Sequence, residues 1–195
     1  MVNSVRARAV STIALAVAGT LVVASVAPRS VSAAPTAAEV AAGRSRSGSS
    51  GLRTGDAAPE IAADRLSGTE GVSLPELRGH VVVIDFWATW CGPCHRIMPD
   101  LDRMYQRHQG AGLAVVGIAR EPEGRLRAHL AESPVSYTVA RDVGGTLTRY
   151  GVRALPTIVV IDRAGQVRDV VVGMDGSAMG RLDRLVQTLL AEPAH

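Results

Sequence analysis

Cys91 and Cys94 are the two cysteines of the chain, and they stand two residues apart in the run Trp90-Cys91-Gly92-Pro93-Cys94. A thiolate attacks a disulfide sulfur far more readily than a thiol does, and a free cysteine is mostly protonated at neutral pH. At the start of a helix, unpaired N–H groups would lower the pKa of Cys91. Cys94 could then attack the mixed disulfide that Cys91 forms. The spacing therefore indicates thiol–disulfide exchange, with Cys91 as the nucleophile and Cys94 as the resolving thiol.

Two weaker alternatives exist for this pair. A disulfide that closes a loop of about four residues stabilises a protein by only about 2 kcal/mol, and a domain of this length has a core without it. A structural zinc site requires four ligands, and the chain offers two cysteines with one adjacent histidine, His95. A redox-active disulfide, without metal or cofactor, is the stronger interpretation.

The motif lies at a predicted junction between a strand and a helix. The run 81–87 is β-branched and aromatic throughout, which favours a strand covered on both faces. A helix is expected from about Cys91 to Gln109, with a kink at Pro99. The remaining predicted elements are strands at 113–119, 135–140, 155–162 and 167–172, helices at 123–131 and 177–191, a helical turn at 146–150, and a short hairpin within 60–74. This order predicts an α/β fold with a mixed central sheet flanked by helices, in which the last two strands form an antiparallel hairpin.

The N-terminus has the pattern of a secretory signal. Arg6 and Arg8 precede an apolar run, 10–27, and small residues suited to cleavage follow. We expect residues 1–33 to be a signal peptide, with a mature N-terminus near Ala34. Retention of the segment as an uncleaved anchor is the alternative, because 18 apolar residues are close to the length that spans a bilayer.

The charge distribution excludes a nucleic-acid partner. Three of the 21 arginines precede residue 34 and no acid does, so the remaining 18 arginines balance the 18 acids. No dense arginine cluster with interleaved aromatic residues remains. Residues 34–52 are expected to be a flexible linker, and 53–192 the folded domain. Membrane contact is expected only if the N-terminal segment is retained.

Two motifs together resemble a known superfamily. The run 84–94, followed some 60 residues later by Leu155-Pro156-Thr157, looks like the thioredoxin superfamily. The start at 55–59 and the inserted segment around 120–142 are similar to its exported TlpA/ResA branch. The resemblance implies a thioredoxin fold with an N-terminal β-hairpin and a central αβ insertion, and an exported thiol–disulfide oxidoreductase.

The resemblance also implies a substrate-binding surface. The peptide bond before Pro156 would be cis and would lie beside the cysteine pair, where the backbone pairs with a substrate strand. Trp90, Gly92, Pro93, Leu155 and Pro156 are assigned to substrate binding. The two tryptophans, Trp87 and Trp90, are expected to contribute by packing and not by catalysis. From its own position alone, Pro156 could equally be an ordinary proline at the start of a strand.

Asp85 is the candidate proton acceptor. It lies six residues before Cys91, where thioredoxins carry a buried acid that takes the proton of the resolving thiol. The alternative is a strand residue partly open to solvent. The TlpA/ResA branch carries a Glu where this chain has Ile97, and the lysine that partners the acid in thioredoxins is absent. His95 would tune the thiolate or face solvent, and the other histidines, His80, His108, His129 and His195, are expected at the surface.

The residues between the cysteines favour reduction. Gly92-Pro93 resembles reducing thioredoxins, so we expect a reductase of exported proteins that contain cysteines, supplied with electrons by a membrane-bound donor. Apocytochrome c and the copper-site cysteines of an oxidase are family-type substrates, but the maturation loop with Gly-Ala-Pro is replaced by the run 153–156. A disulfide-forming oxidant is the alternative within the same fold.

Two other protein classes fit less well. A peroxiredoxin would carry Thr three residues before its reactive cysteine, where this chain has Ala88. A copper chaperone of this fold would use a CxxxC spacing with a distal histidine.

Overall fold

The computed structural model describes residues 51–173 and 176–193, so the predicted signal segment 1–33 and most of the predicted linker lie outside it. The strands are β1 Ala63–Ser67, β2 Val81–Trp87, β3 Leu113–Ala119, β4 Thr138–Asp142, β5 Thr157–Ile161 and β6 Val167–Val172. The helices are α1 Gly92–His108, α2 Glu123–Glu132, α3 Thr146–Arg149 and α4 Gly176–Ala191, with a 3-10 turn at Gln109–Ala111. Within these described residues, no helix combines the length and apolar character that crossing a bilayer would require.

The strands form one mixed sheet in the order β1-β4-β3-β2-β5-β6. β2 pairs parallel with β3 and antiparallel with β5, and β3 pairs parallel with β4. β5 and β6 form the expected antiparallel hairpin, and β1 pairs antiparallel with β4. The prediction of a mixed central sheet flanked by helices is confirmed.

Alternation along β2 sorts its side chains onto two faces of the sheet. Val81, Val83 and Trp87 belong to a core that includes α1, α4 and both cysteines. Val82, Ile84 and Phe86 belong to the core on the opposite face. Asp85 therefore projects to the same face as the cysteine pair.

The N-terminal hairpin expected within 60–74 does not form, so this detail of the prediction is wrong. Only β1 is a strand there. Gly68 has a φ of +84°, and a Cβ at this position would lie 2.4 Å from the Cα of Thr138. The chain therefore crosses close over β4, where the Glu70 N–H donates to Thr138 Oγ1 at 2.9 Å, instead of folding back along β1.

The central insertion forms as α2 and β4, as expected. Arg120 Nη2 lies 2.9 Å from Asp142 Oδ2, which joins the segment after β3 to the end of β4. Burial raises the pKa of Asp142, but hydrogen bonds from the N–H groups of Thr146 and Leu147 and from Arg120 outweigh burial and hold the pKa below its ordinary value.

Candidate active site

The cysteine motif lies where β2 leads into α1. Cys91 is the N-cap residue of α1, in an extended conformation, and its Sγ accepts a hydrogen bond from the Cys94 N–H at 3.2 Å. Gly92 and Pro93 occupy the first helical positions, where the missing N–H of proline breaks no helix bond. The first cysteine thus occupies the helix N-terminus that its chemistry requires.

Cys91 and Cys94 form a disulfide, with their Cα atoms 5.3 Å apart. Cys94 is fully buried, whereas Cys91 retains 4% exposure. Gly92 and Pro93 are exposed. An incoming sulfur can therefore approach Cys91, while Cys94 is reached only from within the protein.

Trp90 is 70% exposed, so the packing role expected for it is not seen. Trp87, three residues earlier, is fully buried as expected. The chain turns between them, since the Cys91 N–H donates to the Ala88 carbonyl oxygen at 3.0 Å. This turn leaves a large aromatic side chain exposed directly beside the motif.

The peptide bond between Leu155 and Pro156 is cis, as the resemblance implied. In the antiparallel pairing of β2 with β5, Thr157 lies opposite Phe86. The cis bond therefore lies at the end of the sheet from which the cysteine motif emerges. Leu155 is half-buried and packs against the core that contains the cysteine pair.

Asp85 is completely buried, so the alternative of a partly solvated carboxylate is excluded. Neither carboxyl oxygen has a hydrogen-bond partner among the described residues. Burial raises the pKa of Asp85 to about 7. Its neighbours in the sheet are Gly117 on β3 and Ile158 on β5. Ile97, where the related branch carries Glu, is buried in the core on the same face.

Glu121, which the sequence analysis missed, holds the loop before Cys91. One carboxyl oxygen accepts from the Thr89 N–H at 2.6 Å, and the other accepts from the Thr89 hydroxyl at 2.7 Å. The Glu121 side chain is only 7% exposed. An acid just after a predicted strand gives no local signal of this role, since its partner lies 32 residues earlier.

Two histidines meet beside the motif. The rings of His95 and His129 stack with centroids 4.6 Å apart, and His129 also lies 5.3 Å from the ring of Trp87. Burial, and then the charge of His95, lower the pKa of His129. His129 is half-buried, and its contact with the ring of His95, which lies far away in the sequence, arises only through the fold.

Several named proteins resemble this chain in sequence or in structure. A Chlorobium tepidum structure described as a thiol:disulfide interchange protein DsbE matches with a TM-score of 0.67 and 35% identity, over 72% of this chain and 99% of that one. The thioredoxin-like protein YneN of Bacillus subtilis is 33% identical over 127 residues, which are 63% of this chain and 74% of YneN. The thiol-disulfide oxidoreductase ResA of Halalkalibacterium halodurans is 32% identical over 117 residues, 59% of this chain and 66% of ResA.

With its cysteine pair on this fold, the protein is a thioredoxin-like thiol–disulfide oxidoreductase of the ResA/DsbE type. The AhpC/TSA family model matches residues 54–170, and the chain belongs to that family.

Proposed function

We propose that this protein is exported and reduces disulfides of exported proteins, with Cys91 as the nucleophile and Cys94 as the resolving thiol. The observation that carries the assignment of roles is the difference in access: Cys91 caps α1 beside exposed residues, and Cys94 is fully buried. A client can join Cys91 only, and Cys94 can only resolve the resulting bond.

The proposed reaction has two steps. The Cys91 thiolate attacks the client disulfide, which forms a mixed disulfide and releases one client sulfur as a thiolate. Cys94 loses its proton and attacks Cys91 Sγ, which expels the second client sulfur and forms the Cys91–Cys94 disulfide. The dithiol supplies the two electrons that the client gains.

Asp85 is proposed as the acceptor of the Cys94 proton. Its carboxyl group is buried on the face of the sheet that carries the cysteines, and burial raises its pKa to about 7, near the operating pH of a general base. Asp85→Asn should slow resolution and leave the fold intact. Unchanged exchange rates in the folded variant would remove Asp85 from the mechanism.

The client is proposed to bind across the motif and the cis-proline loop. Trp90, Gly92 and Pro93 are exposed, and Leu155 and Pro156 lie at the same end of the sheet. The client backbone would pair beside the cis bond. Trp90→Ala should then raise the KM for a protein client. It should have a smaller effect on the reaction rate with a small disulfide, which does not need this surface.

A redox titration of the pair tests the direction. Gly92-Pro93 supports a low reduction potential for the cysteine pair, closer to about −270 mV, as in thioredoxins, than to about −120 mV, as in strong oxidants. A value near the oxidant end would instead make the protein a disulfide-forming enzyme. Insulin reduction, with Cys91→Ser as the inactive control, shows whether exchange occurs at all.

The location and partners follow from the signal-like N-terminus. An exported reductase needs electrons from a membrane-bound donor, because extracytoplasmic compartments are oxidising. N-terminal sequencing of the exported protein should show a start near Ala34. Cys94→Ser should trap clients on Cys91 in cells. Cys91 still forms a mixed disulfide with the client, and without Cys94 no thiol of the protein can resolve it.

A further inference from the structure

Two more buried polar groups lie near Asp85 without a protein partner. Among the described residues, neither Tyr137 Oη nor Trp87 Nε1 has a hydrogen-bond partner. Both side chains are fully buried in the core that contains Cys91 and Cys94. Unpaired buried polar groups are rare and destabilising, so their concentration here indicates a role in the chemistry.

Gly117 brings these groups together. It is the neighbour of Asp85 in the pairing of β2 with β3. A Cβ at Gly117 would lie 3.2 Å from Trp87 Nε1 and 3.3 Å from Tyr137 Cε2. Both rings therefore lie against bare backbone directly beside Asp85, in space that a side chain on β3 would otherwise occupy.

Tyr137 remains a neutral hydroxyl group in this setting. Burial raises its pKa well above the ordinary value, and the charge of Asp85, then that of Asp102, raises it further. The Tyr137 hydroxyl group forms no hydrogen bond with Asp85 in the oxidised structure, so it acts on the carboxylate through its dipole, which is strong in a buried site. Its presence favours the ionised form of a neighbouring acid.

We propose that Tyr137 is a positioning residue for Asp85, whose hydroxyl group stabilises the carboxylate that accepts the Cys94 proton. This inference rests on the proposed function. In the resolution step, the proton passes from the Cys94 thiol to the Asp85 carboxylate. The Cys94 electron pair then attacks Cys91 Sγ, which breaks the mixed disulfide and expels the client sulfur as a thiolate. The Tyr137 hydroxyl keeps its own proton throughout.

The other groups around this cluster stay constant in the test. From α1, Cys94, His95 and Asp102 face this region, and from α2, His129 packs on Trp87. The core side chains that β3, β5 and α4 contribute on this face are apolar: Leu113, Val115, Ala119, Ile158, Val160, Leu182, Val186 and Leu189.

The test follows both steps with dithiobis(nitrobenzoate) as the disulfide. The reduced protein releases one thionitrobenzoate when Cys91 attacks and a second when Cys94 resolves, so stopped-flow absorbance separates the rates. The rate of the second phase should fall at low pH, as Asp85 becomes protonated. In Tyr137→Phe, the pH at the midpoint of this fall should rise by about half a unit or more. That shift slows resolution about threefold below the midpoint. The first phase should keep its rate.

Tyr150→Phe is the matched control, since it removes another buried hydroxyl group, on the opposite face of the sheet. It should keep the wild-type midpoint. In an Asp85→Asn background, Tyr137→Phe should have no further effect on the second phase. An unshifted midpoint in Tyr137→Phe, or an equal effect without Asp85, overturns the inference. Failure of the wild type to release a second thionitrobenzoate overturns the proposed function instead.

Discussion

The buried carboxyl group of Asp85 makes stability depend on pH. Its pKa rises from 3.8 to about 7 on burial, so between these values the folded chain holds a proton that the unfolded chain has released. The contribution of Asp85 to the free energy of unfolding therefore falls as pH increases through this window and levels off above it. The lowered pKa of His129 acts in the opposite direction over part of the window. The loss from Asp85 is on the order of 4 kcal/mol at most, since one pKa unit corresponds to about 1.4 kcal/mol.

Asp85→Asn should remove this contribution to the pH dependence. The oxidised variant is expected to be more stable than the wild type at about pH 8, and the difference should shrink toward about pH 4. Urea unfolding across this range measures it. Asp64→Asn, which changes a 58% exposed acid paired with Arg141, should keep the wild-type slope. A slope in Asp85→Asn equal to that of the wild type would contradict the raised pKa.

Local pattern predicted the elements that present the site but not every contact that holds it. β2 and β3 have the predicted bounds because their continuous β-branched runs suit strands buried on both faces. The pairing of β1 was predicted wrongly, as part of a local hairpin. Its partner is β4, and two strands so far apart in the sequence leave no local pattern that shows their pairing. The hydrogen bonds from Thr89 to Glu121 were missed for the same reason. The cysteine spacing predicted the pair that forms the disulfide, and the resemblance to thioredoxins predicted the burial of Asp85.

The loop between β2 and α1 should depend on Glu121. Glu121→Gln replaces a carboxylate that accepts two hydrogen bonds with a group that presents a donor to one of them. We expect a loss of about 1–3 kcal/mol in the free energy of unfolding, together with slower attack by Cys91.

Glu123→Gln is the nearby control for Glu121. Glu123 forms an exposed ion pair with Arg127 at 2.8 Å within α2, and such pairs contribute about 0.5 kcal/mol or less. Equal losses in the two variants would show that Glu121 acts only as a surface charge.

β3 should tolerate no side chain at Gly117. In Gly117→Ala, the new methyl group would press on Trp87 Nε1 and on the Tyr137 ring, which are held in a filled core. A loss of about 1–3 kcal/mol is expected from this overpacking. Gly124→Ala in α2 meets nothing within 4 Å and should be neutral or stabilising, because alanine favours a helix. Thermal unfolding compares them, and a stable Gly117→Ala would show that the two rings have room to move.

The folded domain as a whole is expected to be more stable with its disulfide than without it. Closing a loop of about four residues contributes about 2 kcal/mol by restricting the unfolded chain, so the free energy of unfolding of the oxidised domain should exceed that of the reduced one by roughly that amount.

Folding and reduction share one thermodynamic cycle. A fold that favours the disulfide lowers the reduction potential of the pair, and a fold that favours the dithiol raises it, as in strong oxidants. Urea unfolding of both forms, the reduced one under excess reductant, measures the difference, and Cys91→Ala/Cys94→Ala shows how the domain behaves without either sulfur. A reduced form more stable than the oxidised form would reverse the proposed direction and make the protein a donor of disulfides.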